Sequence, residues 1–174
     1  APVAPPSREI AKYVLTGISG PKTFNLAGLH ASTVVFPDRH TKKVFDHYWH
    51  CMDIHRNNAF SLTAMEAAFT QGEEWLEQLL PYLSANFDFV VDFCRTRIPK
   101  IRTYAPDATY LMWLDCRDLG LDNQALHDFM IQKAGLGLND GVSFGRSLSG
   151  FMRLNAACPR SVLQKAMEQL EAAV

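Results

Sequence analysis

Neither sign of charge is in surplus: 17 basic and 18 acidic residues leave a formal net charge of −1. That balance removes the electrostatic case for nucleic acid or an anionic membrane surface as a partner. No apolar run approaches the roughly 20 residues that a helical membrane span needs. Cysteine is sparse, and Cys51, Cys94, Cys116 and Cys158 are scattered without a C-x-x-C pair. Reduced thiols in the cytoplasm are therefore expected, not a disulfide framework. The first residues, Ala1-Pro2-Val3-Ala4-Pro5-Pro6, lack the basic flank and apolar centre of a secretory signal. They also lack an initiator methionine, and the expectation is that the chain starts inside something longer. Internal repeats and low-complexity tracts are absent too. What is there is the composition of an ordinary globular chain: 174 residues, 48% hydrophobic and 20% charged, long enough to bury a sound core as one domain.

Strands alternate with helices along the chain, which predicts an α/β layered architecture. Residues 1–12 read as an irregular start, proline-rich and then charged. Residues 13–19 read as a short strand, broken by Gly20-Pro21 because glycine loosens the backbone and proline removes a donor. Residues 31–36 read as a buried strand closed by Pro37-Asp38. Asp38 is placed to cap a helix running to about Cys51. Ser61 is placed to cap the next, with Leu62, Met65 and Phe69 on one face and Gly72 at its end. A long helix over residues 73–97 carries Leu76, Leu80, Leu83, Phe87, Val90 and Cys94, alternately four and three apart, as one apolar stripe. Glu73, Glu74 and Glu77 suit its N-terminal end and Arg95 and Arg97 its C-terminal end; Pro81 predicts a kink or a break. Residues 101–104 and 110–114 read as strands around the turn Pro106-Asp107. Asp122 caps a helix carrying Leu126, Phe129 and Met130 that ends at Gly135. Residues 151–156 show the period of a strand, and Pro159 opens a last helix striped by Leu163, Met167, Leu170 and Val174.

Lys22 follows directly on the break at Gly20-Pro21 and precedes an apolar segment. Held at a strand end among apolar neighbours, a lysine can lose its proton near neutral pH and form a Schiff base with an aldehyde or ketone. The alternative is a turn with a solvated lysine. The stretch 17–23 superficially suggests a phosphate loop, but its glycine spacing is wrong and Pro21 has no N–H to offer. His47, His50 and Cys51 share a helical face, with His55 beyond, in the outline of metal-ligand spacing. No carboxylate or second cysteine completes the set, so a half-buried aromatic face is the expected use. Gly141-Val142-Ser143-Phe144-Gly145 matches a nucleophile elbow, yet the last histidine, His127, precedes Ser143. A hydrolase triad in that order cannot be completed, and the glycines mark a turn. Arg153 shares a strand face with Phe151 and Asn155, while Met152, Leu154 and Ala156 cover the other. On a strand covered on both faces it demands an anion, and its planar fork suits a carboxylate; on an edge strand it would point to water.

Two longer motifs go beyond these local signals: Lys22-Thr23-Phe24-Asn25-Leu26-Ala27-Gly28-Leu29, and Gly150-Phe151-Met152-Arg153-Leu154-Asn155-Ala156-Ala157-Cys158-Pro159-Arg160. Between them, in order, stand Ala64-Met65-Glu66-Ala67-Ala68-Phe69, Gly72-Glu73-Glu74-Trp75-Leu76, Ala108-Thr109-Tyr110-Leu111-Met112-Trp113-Leu114-Asp115 and Leu138-Asn139-Asp140-Gly141. Together they resemble the cystathionine β-lyase-like branch of the fold-type I pyridoxal-phosphate (PLP) enzymes, in the aminotransferase class I/II superfamily, with the cystalysin-type C–S lyases close by. The resemblance covers nearly the whole chain.

It implies PLP as cofactor and an amino acid as substrate. Lys22 would hold the cofactor as a Schiff base and move the Cα proton, Ser19 would contact the cofactor phosphate, and Arg153 would bind the substrate carboxylate. His30 stands where related aminotransferases often carry an arginine on the phosphate, which fits the lyase branch. Gly20-Pro21 replaces a hydroxyl residue that often precedes the lysine. The implied fold is α/β, the C-terminal part of a fold-type I enzyme. Residues 1–75 would end the large cofactor domain, and residues 76–174 would form the interdomain helix and an α+β small domain. Family enzymes are longer, and the missing part would supply the pyridine-nitrogen aspartate and the ring-stacking aromatic. The isolated piece is therefore expected to be inactive, and the full-length enzyme to be a cytoplasmic homodimer. An aminotransferase and a non-catalytic interaction domain that keeps the fold are the alternatives.

Overall fold

The computed structural model describes residues 8–54 and 58–174, which fall into two compact units, Ala1–Glu77 and Gln78–Val174. In the first unit, helix α1 (Arg8–Ala11) occupies part of what was expected to be an irregular start; residues 1–7 lie outside the described residues. It runs into a turn in which Tyr13 N donates to Ile10 O at 2.9 Å and Val14 N to Ala11 O at 3.2 Å. That turn takes the first half of the expected strand over 13–19, leaving β1 (Thr16–Ile18). Strand β2 (Thr33–Val35) pairs antiparallel with it, Thr16 opposite Val35 and Ile18 opposite Thr33. The expectation that residues 31–36 form a buried strand is overturned. Within β2 only Val34 is even half-buried, since a ladder of two strands offers too little surface to enclose a face.

Helix α2 (Arg39–Cys51) begins as its sequence dictates. Asp38 accepts from Thr41 N at 2.7 Å and from the Thr41 hydroxyl at 2.8 Å, and these bonds hold its carboxyl below the usual aspartate value. Helix α3 (Ser61–Gln71) starts differently from expectation. The capping acceptor is Asn58, whose Oδ1 takes Phe60 N at 2.9 Å and Ser61 N at 3.1 Å. The Ser61 hydroxyl instead donates to Leu29 O at 2.7 Å and ties α3 to the segment before β2. Of the face expected for α3 only Met65 is buried; Leu62 and Phe69 are exposed. Gly72 ends the helix as expected.

Helix α4 (Glu73–Arg97) runs unbroken through Pro81. Pro81 and Glu77, whose carbonyl loses its helical partner there, are both exposed, so water can replace the missing N–H.

The second unit is built on a three-stranded antiparallel sheet of β3 (Leu111–Asp115), β4 (Asn139–Asp140) and β5 (Phe151–Asn155), in the order β3-β5-β4. Alternation sends Met112, Leu114, Met152 and Leu154 to one face. There they share a core with Leu83, Phe87, Val90 and Cys94 of α4 and Leu163, Met167 and Leu170 of α6 (Arg160–Ala173), the helix that Pro159 opens. The expected strand over 101–104 shrinks to one bridge, Arg102 to Asp115. At the next residue the Thr103 hydroxyl, in place of a backbone N–H, donates to Trp113 O at 2.8 Å. Asp122 caps α5 (Asn123–Asp128) by accepting from Ala125 N at 2.8 Å. The helix then widens into a π-helical turn, Phe129–Lys133, a change the sequence does not announce. Asn86, fully buried, donates to Ala156 O at 2.8 Å and Cys158 O at 3.1 Å and accepts from Arg160 Nε at 2.9 Å, pinning the connection from β5 to α6. Among the described residues no helix is long and apolar enough to cross a membrane.

Candidate active site

The residues singled out by sequence fall in two places. Ser19 and Lys22 lie in the first unit, where the chain leaves β1 and turns through Pro21–Asn25. The turn is closed by Phe24 N to Gly20 O at 2.9 Å and Leu26 N to Pro21 O at 2.8 Å, and Asn25 takes a left-handed conformation with φ of 56°. Gly20 and Pro21 are buried while Ser19, Lys22 and Thr23 are exposed. Gly20 packs closely: a Cβ there would lie 3.1 Å from the Phe69 ring and 3.2 Å from the Met65 sulfur, so those side chains would have to give way. Phe24 anchors the other side, its ring 5.9 Å from Phe69 and 5.8 Å from Trp75 between centroids. One turn therefore holds its apolar side chains inward and presents a hydroxyl and an amine outward. Neither the Ser19 hydroxyl nor the Lys22 amine bonds a described residue. The apolar neighbours expected around Lys22 sit under the turn and leave its side chain in contact with solvent.

Arg153 lies in the second unit, on β5. That strand is the middle one of its sheet, so the edge-strand alternative is ruled out. The register sets Trp113 on one side of Arg153 and Asn139 on the other. Arg153 Nη2 donates to Asn139 Oδ1 at 2.9 Å, and the guanidinium carbon lies 4.3 Å from the centre of the Phe144 ring. Phe144 in turn meets Trp113 edge-on at 5.5 Å. Arg153 Nε is buried with no hydrogen-bond partner. Of the five N–H donors of a guanidinium, one is bonded to a described residue.

Sequence reading missed Asn139, Trp113 and Phe144 as neighbours of Arg153, because strand register is not written in any one segment. Gly141–Phe144 forms a tight 3-10 turn, as expected of its glycines. A Cβ on Gly141 would lie 2.3 Å from Leu148 O, and Ser143 donates to Asp140 O at 2.7 Å. That turn is what carries Phe144 over Arg153. Among the described residues no three His, Cys, Asp or Glu side chains converge, and the histidine-cysteine face expected to be half-buried is exposed at His47, His50 and Cys51. His47 Nε2 contacts Cys51 Sγ at 3.8 Å and His50 Nδ1 contacts Asp46 O at 2.7 Å, while His55 lies outside the described residues.

No protein-family model matches the chain. The fold is that of the C-terminal part of PLP-dependent enzymes of the aminotransferase type. A PLP-bound protein of Clostridium difficile 630, named as an aminotransferase, matches 96% of this chain at a TM-score of 0.92 and 43% identity, over 43% of its own length. Cystalysin of Treponema denticola, solved with PLP, matches 96% at a TM-score of 0.87 and 29% identity, over 42% of its length. Cystathionine β-lyase PatB of Bacillus subtilis is 37% identical over 99% of this chain and 45% of its own length. The chain belongs to the cystathionine β-lyase-like branch of the PLP enzymes. It spans less than half the length of these relatives.

Proposed function

We propose that this chain is part of a PLP-dependent C–S β-lyase acting on a cystathionine-like amino acid, with Lys22, Ser19 and Arg153 as its share of the site. The observation that carries the reading is Arg153: a half-buried guanidinium on a central strand, with a single hydrogen bond among the described residues, is completed by an anion. An amino-acid carboxylate fits its planar fork.

The donor set on the first unit fits the cofactor. A primary amine and a hydroxyl, three residues apart on one braced turn and bonded to no described residue, match an aldehyde and a phosphate respectively. PLP, when bound, supplies the electron sink for charge developing at the substrate Cα. Lys22 would hold the cofactor and take the proton from Cα. Ser19 donates to the phosphate. Arg153 would fix the substrate carboxylate, and with it the orientation of the groups on Cα. In a β-lyase, proton removal at Cα leads to loss of a thiol from Cβ, and water then hydrolyses the remaining imine to pyruvate and ammonia. The domain reading belongs to the same proposal: the first unit ends a cofactor domain, and α4 leads into a small domain. The working enzyme would be a cytoplasmic homodimer.

Amino transfer is the second reading, favoured by the 43%-identical neighbour named as an aminotransferase. The full-length protein decides between them. Pyruvate released from cystathionine without a keto-acid acceptor supports the lyase; product formation only when a keto acid is supplied supports the transferase. Lys22→Ala is expected to abolish both activities and the visible absorbance of bound PLP. Retention of that absorbance and of turnover in Lys22→Ala overturns the assignment.

A further inference from the structure

Arg153 does not stand alone, and its nearest polar neighbour has no role in the reading above. Asn139 faces it directly across the β4–β5 pairing, its Oδ1 2.9 Å from Nη2. The position of that acceptor is itself fixed. Asp140, the next residue, pairs with Met152 in the sheet, and its carboxylate oxygens lie 2.9 and 3.1 Å from His127 Nδ1. Its carbonyl accepts from the Ser143 hydroxyl at 2.7 Å. The 3-10 turn so braced delivers Phe144, whose ring lies 4.3 Å from the guanidinium carbon. Asn139 thus holds one corner of the guanidinium while the Phe144 ring packs against it.

We propose that Asn139 is the positioning residue of Arg153. It holds one Nη2 hydrogen so that the donors left over meet a planar carboxylate as a pair, and it does so with a neutral acceptor that leaves the positive charge uncompensated for the ligand. An aspartate at the same place would hold the guanidinium equally well and cancel its charge. The choice of an amide over an acid is therefore a specificity device for an anionic substrate. This inference rests on the reading of Arg153 as the carboxylate site.

The test uses the full-length protein loaded with PLP and two probes without a leaving group on Cβ, L-alanine and L-alaninamide, with dissociation constants measured by titration calorimetry. Asn139→Ala is expected to weaken L-alanine about tenfold, the size of one charge-assisted hydrogen bond's contribution, and to leave L-alaninamide unchanged. Asn139→Asp, which keeps the acceptor and the strand, is expected to weaken L-alanine further and again spare the amide. In an Arg153→Ala background neither change at 139 should matter. Equal losses for both probes, or an Asn139→Asp variant that binds L-alanine as the parent does, overturn the proposal. If Arg153→Ala itself leaves the preference for L-alanine over its amide intact, the Arg153 assignment fails. If Arg153→Ala removes that preference and the Asn139 variants keep it, only the positioning role fails.

Discussion

The two units contrast in what they do with similar patterns. In the second, the stripes of α4 and α6 and the inward faces of β3 and β5 close on one another, and Val90, Leu114 and Leu170 are wholly buried. In the first, α2 buries no residue at all, and β1 and β2 expose Ile18 and Val35. Most of the large apolar side chains in contact with solvent belong to that unit, among them Tyr13, Tyr48, Phe60, Leu62 and Phe69. Amphipathic spacing creates a face; only a second surface turns it into a core. The proposed chemistry divides in the same way. Arg153 is held in a braced sheet, whereas Lys22 sits on an exposed turn packed down through Gly20, Pro21 and Phe24.

Thiol reactivity gives the largest expected difference between the units. Burial pushes the Cys94 and Cys116 thiols up to about 12, with the Asp115 charge adding to the effect at Cys116. Cys51, in the first unit, is exposed. Because the thiolate is the reactive form, alkylation of the native protein at mildly alkaline pH is expected to label Cys51 at least a hundredfold faster than Cys94 or Cys116, read by peptide mass spectrometry. Denaturant should erase the difference. Fast labelling of Cys94 in the folded protein would mean that the second unit's core opens as readily as the first.

Core truncation comes next. Leu114 is 0% exposed on the inward face of β3, and Leu114→Ala is expected to cost about 2–5 kcal/mol of unfolding free energy. Leu62 is 66% exposed on α3, and Leu62→Ala should stay within about 0.5 kcal/mol. Urea midpoints of the two variants sharpen the comparison, and equal losses would break it.

What could be read beforehand follows the same divide between local and long-range causes. The limits of α4, the cap at Asp38 and the stop at Gly72 are written within one turn of the residues concerned, and they appear where expected. The Asp122 cap is equally local. Burial is not local: residues 31–36 have the composition of a core strand, but whether anything covers them depends on chain far away. Arg153 could be singled out because an arginine within an apolar strand is unusual. Its company could not, since Trp113 and Asn139 reach it only through register and Phe144 only through a braced turn. The Ser61 cap failed because the helix opens one residue earlier: Asn58 Oδ1 accepts from Phe60 N and Ser61 N, and the Ser61 hydroxyl is engaged with Leu29 O.

The smallest expected effect concerns one carboxylate in each unit. The hydrogen bond from Arg117 holds the Asp115 carboxyl below its ordinary value, outweighing burial, with Arg117 Nε and Nη2 each 2.8 Å from one of its oxygens. The bonds from Thr41 do the same for Asp38. A carboxyl depressed in the folded state adds stability above its unfolded value, near pH 4, and loses it as the pH falls through the folded one. Both units should therefore weaken at acid pH, yet the two Asp→Asn changes should differ. An amide oxygen still accepts from Thr41 N–H, so Asp38→Asn keeps its cap and is expected to shift the neutral-pH midpoint little. At residue 115 an amide would turn an N–H donor toward one arm of a two-pronged arginine, so Asp115→Asn should lower stability at neutral pH and flatten the curve between about pH 5 and 3. Urea midpoints across that range read both. Identical curves for the two variants would show that the paired arginine adds nothing to the second unit beyond what a helix cap gives the first.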